Sequence, residues 1–280
     1  MKTPGAWVVA VACLLTGLST AQAKPKVEYG TAYDIGYYDA AATRNDECRH
    51  ERCKLDIYYP KGANGFATIV WFHGGGLTEG ARRFPALKNQ GIALVAVSYR
   101  LAPEVQTPVF LEDAAAAVAW VFRNVERYGG DPSKVFIAGH SAGAYLASML
   151  TMDPKWLAEH GVSHRKLAGL IAVSGQMSTH FTIKKLRGDK GPQLRPVIDE
   201  YAPLHHVSKE LPPICLIVGG RDREWEARVE ENALMAATLR ALGHPKVEFY
   251  EMQRLNHGTV AAGGMLVLLD FVRGVLQPRE

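Results

Sequence analysis

Residues 135–143 read VFIAGHSAG, an apolar run that leads directly into a glycine–x–serine–x–glycine pentapeptide centred on Ser141. The apolar residues suit a short strand buried on both faces, and the residues from Ala142 onward suit a helix. A serine between a strand and a helix predicts a sharp turn that holds the hydroxyl at the end of a sheet. The flanking glycines are needed because side chains at their positions would collide. The stretch therefore predicts a nucleophilic serine.

The rest of the chain alternates in the same way between strand and helix patterns. Short apolar runs bounded by glycine and proline are typical of strands buried on both faces of a parallel sheet. The predicted strands cover residues 27–38, 53–59, 67–72, 93–98, 135–138, 167–173, 214–218 and 247–251, the last of them near an edge of the sheet. Apolar residues at three- and four-residue steps predict helices over 111–128, 142–151 and 227–242. This alternation predicts an α/β fold, with a mostly parallel central sheet and helices on both faces.

A glycine-rich segment, His73-Gly74-Gly75-Gly76, follows the predicted strand 67–72. A hydroxyl that attacks an ester builds negative charge on the carbonyl oxygen, and fixed N–H donors stabilise that charge. Successive glycines let the backbone approach the substrate closely enough to supply those donors. The segment therefore predicts an oxyanion-binding loop, and a turn without function is the alternative.

A serine nucleophile needs a histidine base, and the base needs a carboxylate that orients it. In this fold the acid and then the histidine follow the serine along the chain. Asp222 and His257 each lie in a loop directly after a predicted strand, so they are the predicted partners of Ser141. Glu224 and Glu226 lie on the same loop as Asp222 and remain alternatives for the acid.

Four motifs occur in the order found in one known family. They are HGGG at 73–76, YRLAPE at 99–104, Asp131-Pro132 and GHSAG around Ser141. Together they resemble the hormone-sensitive-lipase branch of the α/β-hydrolase esterases, and the chain is also similar to secreted feruloyl and acetyl-xylan esterases. The resemblance covers residue 27 to the C-terminus. It implies an α/β-hydrolase fold and an oxyanion hole formed by Gly75, Gly76 and Ala142.

Two features depart from that branch. Few residues separate Ala23 from the first predicted strand, where the branch usually carries a helical cap. The predicted triad acid is followed by Arg-Glu-Trp, whereas the branch tends to show Asp-Pro-Leu. The first departure bears on the choice of substrate, and the second bears on the identity of the acid.

These residues predict a serine carboxylesterase that hydrolyses short-chain or carbohydrate-linked esters through an acyl-enzyme. An aryl-formamidase or a peptidase could use the same triad, and a non-catalytic binding protein on this scaffold is a further alternative. The net charge of +4 is spread along the chain without a basic run beside aromatics, so we expect no nucleic-acid partner. We expect no nucleotide cofactor, because the sequence lacks the glycine motifs that bind one. We also expect no metal, because His205 and His206 have no further ligands at a suitable spacing.

The N-terminal residues 1–23 have the pattern of a signal peptide, with Lys2, an apolar run over 6–18 and Ala-Gln-Ala at 21–23. The predicted catalytic domain is 24–280, exported to the periplasm or the medium, with no stable membrane insertion after cleavage. An oxidising compartment favours a disulfide between Cys48 and Cys53, and two free thiols are the alternative.

Residues 174–211 interrupt the alternation with a polar, irregular stretch. Because it lies between two predicted core strands, it suits a small lid inserted over the sheet edge. A plain surface excursion is the alternative.

Overall fold

A computed structural model describes residues 27–277. Its centre is an eight-stranded sheet with the strand order β1-β2-β4-β3-β5-β6-β7-β8. The strands are β1 (Tyr29–Gly36), β2 (Lys54–Pro60), β3 (Phe66–Phe72), β4 (Ala93–Val97), β5 (Gly130–His140), β6 (Gly169–Val173), β7 (Ile214–Gly219) and β8 (Val247–Met252). Every predicted strand is present.

The sheet is mixed, with a parallel part that carries the candidate site. β2 pairs antiparallel with both β1 and β4, whereas β4, β3, β5, β6, β7 and β8 are all parallel. β8 forms the edge of the sheet, as predicted from its alternating pattern. Parallel strands end at a common edge, so the loops after β3, β5, β7 and β8 approach one another there.

Helices connect the strands. They are α1 (Ala40–Thr43), α2 (Glu47–Arg52), α3 (Val109–Asn124), α4 (Ala142–Met152), α5 (Lys155–Ala158), α6 (Phe181–Leu186), α7 (Arg228–Ala241), α8 (Val260–Gly263) and α9 (Met265–Leu276). The three predicted helices correspond to α3, α4 and α7. α7 ends shortly before Gly243, whose φ of 78° is the left-handed conformation predicted for a glycine after a helix.

Apolar side chains cover both faces of the sheet. On one face, the side chains of α3, α4 and α7 pack against residues such as Val70, Val95 and Ile137. On the other face, α9 packs Leu268 and Phe271 against the alternate residues of the same strands. This double layer confirms the predicted α/β-hydrolase architecture, with helices on both faces.

The predicted Cys48–Cys53 disulfide is wrong, because both cysteines are free thiols in the structure. Residues 47–52 form α2, whose first turn is capped by the carboxylate of Asp46. Side chains five residues apart on a helix point about 140° away from each other. Cys53 is buried in the core, whereas Cys48 is partly exposed, so the two sulfur atoms face different surroundings.

The predicted lid segment, 174–211, contains α6 and a single 3₁₀ turn at Pro203–His206. Its first residues are buried, including Ser174, Gln176 and Thr179.

Within residues 27–277, no helix is both long and apolar enough to cross a membrane. The same part of the chain holds no cluster of three or more histidine, cysteine, aspartate or glutamate side chains suited to a metal ion.

Candidate active site

Ser141 lies at the turn between β5 and α4, in the conformation predicted for the pentapeptide. Its φ of 55° is unusual for a residue with a side chain, and α4 begins at the next residue. Its N–H donates to the carbonyl of Val173 at 2.9 Å, which fixes the turn against β6. A methyl group on Gly139 would overlap the backbone of Gly143, and one on Gly143 would overlap the backbone of Phe72. Only glycine therefore fits at positions 139 and 143, two residues before and two residues after the serine.

The loop after β8 places His257 against this serine. The distance from His257 Nε2 to Ser141 Oγ is 2.9 Å. Asn256 stabilises the loop, since its side-chain oxygen accepts the N–H groups of Gly258 and Thr259. A ring nitrogen of His140 lies 2.7 Å from the carbonyl oxygen of His257 and holds the loop from the side of β5. The structure therefore brings together two of the predicted triad residues.

The acid that contacts His257 is Glu224. Its Oε1 lies 2.6 Å from His257 Nδ1, and its side chain is fully buried. The same carboxylate accepts the N–H groups of Gly219 and Trp225 and the hydroxyl of Ser174. Burial raises the pKa of Glu224, but the hydrogen bonds from His257, Ser174 and Trp225 outweigh it and lower the pKa to about 2. Glu224 is therefore ionised at neutral pH.

The prediction of Asp222 as this acid is wrong in the structure. The carbonyl of Gly220 accepts the N–H groups of both Arg223 and Glu224, and this closes a tight turn after β7. Residue 222 lies at the tip of that turn, where the side chain is 71% exposed and pairs with Arg223. The chain returns toward the sheet at Glu224. Glu226, the other alternative, is exposed.

The predicted oxyanion residues lie in two backbone segments beside the serine. Gly75 and Gly76 have φ values of 109° and 61°, and a methyl group on Gly75 would overlap the backbone of Glu79. A methyl group on Gly74 would lie 3.3 Å from Cβ of Ser141, so the loop passes directly over the nucleophile. Among the described residues, the N–H groups of Gly75, Gly76 and Ala142 donate to no protein acceptor. These donors can therefore bind an oxyanion.

Side chains around this loop hold it in place. The hydroxyl of Tyr99 donates to the carbonyl of His73 at 2.9 Å, and their rings stack. The hydroxyl of Thr182, on α6, donates to the carbonyl of Gly76. Burial lowers the pKa of His73 to about 4, so this imidazole is neutral at pH 7. It serves as a neutral packing partner for Tyr99.

Sequence reasoning missed one residue of the site. The ring of Trp225 stacks on His257 with centroids 4.0 Å apart and an interplanar angle of 14°. The guanidinium carbon of Arg228 lies 5.7 Å from the centroid of the Trp225 ring, and the ring centroid of Phe181 lies 6.2 Å from that of Trp225. The sequence did contain a signal for Trp225, because it directly follows Glu224, an alternative acid. A residue next to the acid that contacts the histidine also lies close to the histidine.

A family model described as BD-FAE matches residues 55–232, which is more than half of the chain. The chain belongs to the BD-FAE family. The matched range of the BD-FAE family includes the glycine loop, Ser141 and Glu224, and ends before His257.

Relatives of this BD-FAE member include two proteins of Mycobacterium tuberculosis. Esterase LipC is 27% identical over 222 residues, which is 72% of this chain and 52% of that protein. Carboxylesterase NlhH is 36% identical over 102 residues, which is 34% of this chain and 32% of that protein. The chain thus spans about half, or less, of the length of the relatives that it matches.

Solved structures share the fold at low sequence identity. A truncated carbohydrate esterase from gut microbiota has a TM-score of 0.69 and 17% identity, over 90% of this chain and 98% of that one. A bacterial heroin esterase has a TM-score of 0.63 and 20% identity, over 92% of this chain and 87% of that one. The predicted α/β-hydrolase fold and the resemblance to esterases of this fold are confirmed.

Proposed function

We propose that this protein is a serine carboxylesterase that hydrolyses short-chain or carbohydrate-linked esters. The observation that carries the proposal is the continuous hydrogen-bonded chain from Ser141 through His257 to Glu224. The family membership and the names of the relatives support the same reaction class.

The proposed mechanism is acyl transfer through a covalent intermediate. His257 takes the proton of Ser141 as the oxygen attacks the ester carbonyl, and Glu224 stabilises the imidazolium that forms. The N–H groups of Gly75, Gly76 and Ala142 stabilise the oxyanion. The imidazolium then protonates the departing alcohol, and water repeats the cycle on the acyl-enzyme.

Formamidases and peptidases could use the same three residues, and a binding protein would need none of them. We expect a fluorophosphonate probe to label the wild-type protein on Ser141, and the Ser141→Ala variant to remain unlabelled. We expect the same variant to lose on the order of 10⁶-fold in kcat. A folded variant that keeps a tenth of the activity would remove Ser141 from the mechanism.

Rates on matched para-nitrophenyl acetate, aryl formamide and peptide anilide distinguish the esterase, formamidase and peptidase reactions.

We further propose that the protein is exported after cleavage of the signal peptide predicted over 1–23. These residues lie outside the described part of the chain, so their sequence pattern carries this proposal. Mass analysis of protein from the native host should find an N-terminus at Lys24. An intact Met1 on a cytoplasmic protein would contradict export.

A further inference from the structure

A cavity of about 320 Å³ opens beside the glycine loop, and the predicted lid segment supplies most of its wall. Its wall includes Thr78, Phe181, Thr182, Lys184, Lys185 and Lys190. Two contacts join this cavity to the candidate active site. The hydroxyl of Thr182 donates to the carbonyl of Gly76, and a methyl group on Gly76 would lie 3.2 Å from the ring of Phe181. The cavity therefore shares a wall with the proposed oxyanion hole.

Lys184 places a buried cation in this wall. Its Nζ donates to the carbonyl of Arg195 at 2.5 Å and to that of Pro192 at 3.4 Å. These bonds fix the irregular chain after α6, which forms the far side of the cavity. An ammonium group has three N–H donors. Two protein acceptors therefore leave one donor of Lys184 for a ligand.

Lys185 and Lys190 add two exposed cations to the same wall. Within residues 27–277, neither of them forms an ion pair. Asp189 is the acidic residue in the lining, and Arg195 pairs with its carboxylate at 2.9 Å. Because that negative charge is already paired, the charges of the three lysines are not compensated within the cavity. A concave site lined by one sign of charge concentrates ligands of the opposite sign.

We infer that this lysine-lined cavity binds an anionic group, such as a carboxylate, carried by the ester substrate itself. The inference deepens the proposed esterase function and rests on it. Lysine ammonium groups bind carboxylates through charge-assisted hydrogen bonds. The shared wall at Gly76 places such a group within reach of a substrate whose carbonyl oxygen occupies the oxyanion hole.

The test compares charged and neutral esters in two series. One series carries the charge on the acyl part, with mono-para-nitrophenyl adipate against para-nitrophenyl hexanoate. The other carries it on the alcohol part, with para-acetoxybenzoate against para-acetoxybenzamide. The variant is Lys185→Gln with Lys190→Gln, two exposed positions whose change leaves the core intact. The matched control is Lys61→Gln with Lys209→Gln, which removes the same charge from exposed positions at the opposite edge of the sheet.

We expect the variant to lose about fivefold in kcat/KM for the charged ester of one series, while neutral esters change by less than about twofold. The control pair should leave both values unchanged. The affected series identifies the part of the substrate that enters the cavity. Higher salt should weaken the wild-type preference, because exposed charges are screened. If the protein hydrolyses the neutral esters but the variant has no effect on either charged ester, the anionic subsite alone is overturned. A protein that hydrolyses none of the esters would overturn the proposed function and this inference with it.

Discussion

The Glu224 carboxylate accepts hydrogen bonds from one side chain besides His257, that of Ser174, and from the backbone N–H groups of Gly219 and Trp225, and these fix both of its oxygens. An amide at this position would present an N–H₂ group to the imidazole and favour the wrong tautomer. We therefore expect Glu224→Gln to lower kcat by about 10⁴-fold, as measured with para-nitrophenyl acetate. Asp222→Asn is the control, and its exposed side chain should change kcat by less than about twofold. Equal losses in the two variants would contradict the assignment of Glu224.

The sequence predicted Ser141 and His257, but it left three acids open on one loop. Ser141 follows from the pentapeptide, because only a tight turn between strand and helix explains its glycines. The choice between Asp222 and Glu224 depends on how the turn after Gly220 closes. That closure is set by two backbone hydrogen bonds, which no residue pattern on this loop reports.

Trp225 stacks face to face on the ring of His257. The face of an aromatic ring attracts a cation, and in the proposed mechanism His257 gains a positive charge when it takes the proton of Ser141. We expect Trp225→Ala to lower kcat by about tenfold with a smaller change in KM, because the interaction strengthens in the transition state. Trp225→Phe keeps an aromatic face and should retain most of the activity. A variant that raises KM alone would assign Trp225 to substrate binding instead.

At the scale of elements, a buried ion pair ties α3 to the chain that follows β4. Arg100 donates to both oxygens of Asp113, at 2.8 and 2.9 Å, and the Asp113 side chain is fully buried. Arg100 also contacts Asp46 at the start of α2, and Tyr38 donates to Asp113. This cluster connects the start of α2, α3 and the chain after β4.

Removing the charge of Asp113 leaves the buried guanidinium of Arg100 with the partly exposed Asp46 as its remaining ionic partner. We expect Asp113→Asn to lower the free energy of unfolding by about 3 kcal/mol, as measured by urea denaturation. Asp270→Asn, at an exposed position of α9, is the control and should change it by less than about 0.5 kcal/mol. A stable Asp113→Asn protein would show that the pair contributes little.

Strands were easier to predict than short helices. A short apolar run bounded by glycine or proline suits a strand buried on both faces, and each of the predicted runs over 67–72, 93–98, 135–138, 167–173 and 214–218 forms a strand. α2 is polar and only six residues long, so its local sequence gave no helical signal. The error over the Cys48–Cys53 disulfide follows directly, because the prediction from the oxidising compartment did not include the helix that separates their side chains.

At the scale of the whole molecule, neutral buried histidines couple stability to pH. Burial lowers the pKa of His73 and of His140 to about 4, and a neighbouring His257 adds to the effect at His140. In the unfolded chain a histidine binds its proton near pH ~6.5. Between about pH 6.5 and about 4 the unfolded state therefore holds more protons than the folded one.

These two histidines contribute stability that is fully present above pH ~6.5 and is lost as the pH falls toward about 4. We expect thermal melting to show a falling Tm over that window, and His140→Gln to flatten part of the slope. Exposed His205→Gln is the control and should leave the slope unchanged. A Tm independent of pH down to about 4 would contradict the neutral state of these side chains.

The size of the acyl group that the site accepts depends on whether the apolar side chains of the predicted lid line the site or are buried in the core. Ile183 of α6 is fully buried in the main core, and Leu186 packs against that core. Neither side chain remains to line a groove for a long chain. Phe181 faces the candidate site from the same helix, while the neighbouring cavity is lined by lysines. The segment therefore offers one aromatic wall and a polar cavity.

Each buried methylene of a substrate contributes about 0.8 kcal/mol only where an apolar surface covers it. Because the predicted lid offers one aromatic wall and the cavity beside it is lined by lysines, we expect kcat/KM to rise little after butyrate and to fall at laurate. Rates on para-nitrophenyl acetate, butyrate, octanoate and laurate, each below its solubility limit, measure this. Phe181→Ala is the matched variant, and it should lower the rate for butyrate more than that for acetate, because an acetyl group has no methylene for the ring to cover. A steady rise through laurate would mean that an apolar groove lies elsewhere on the molecule.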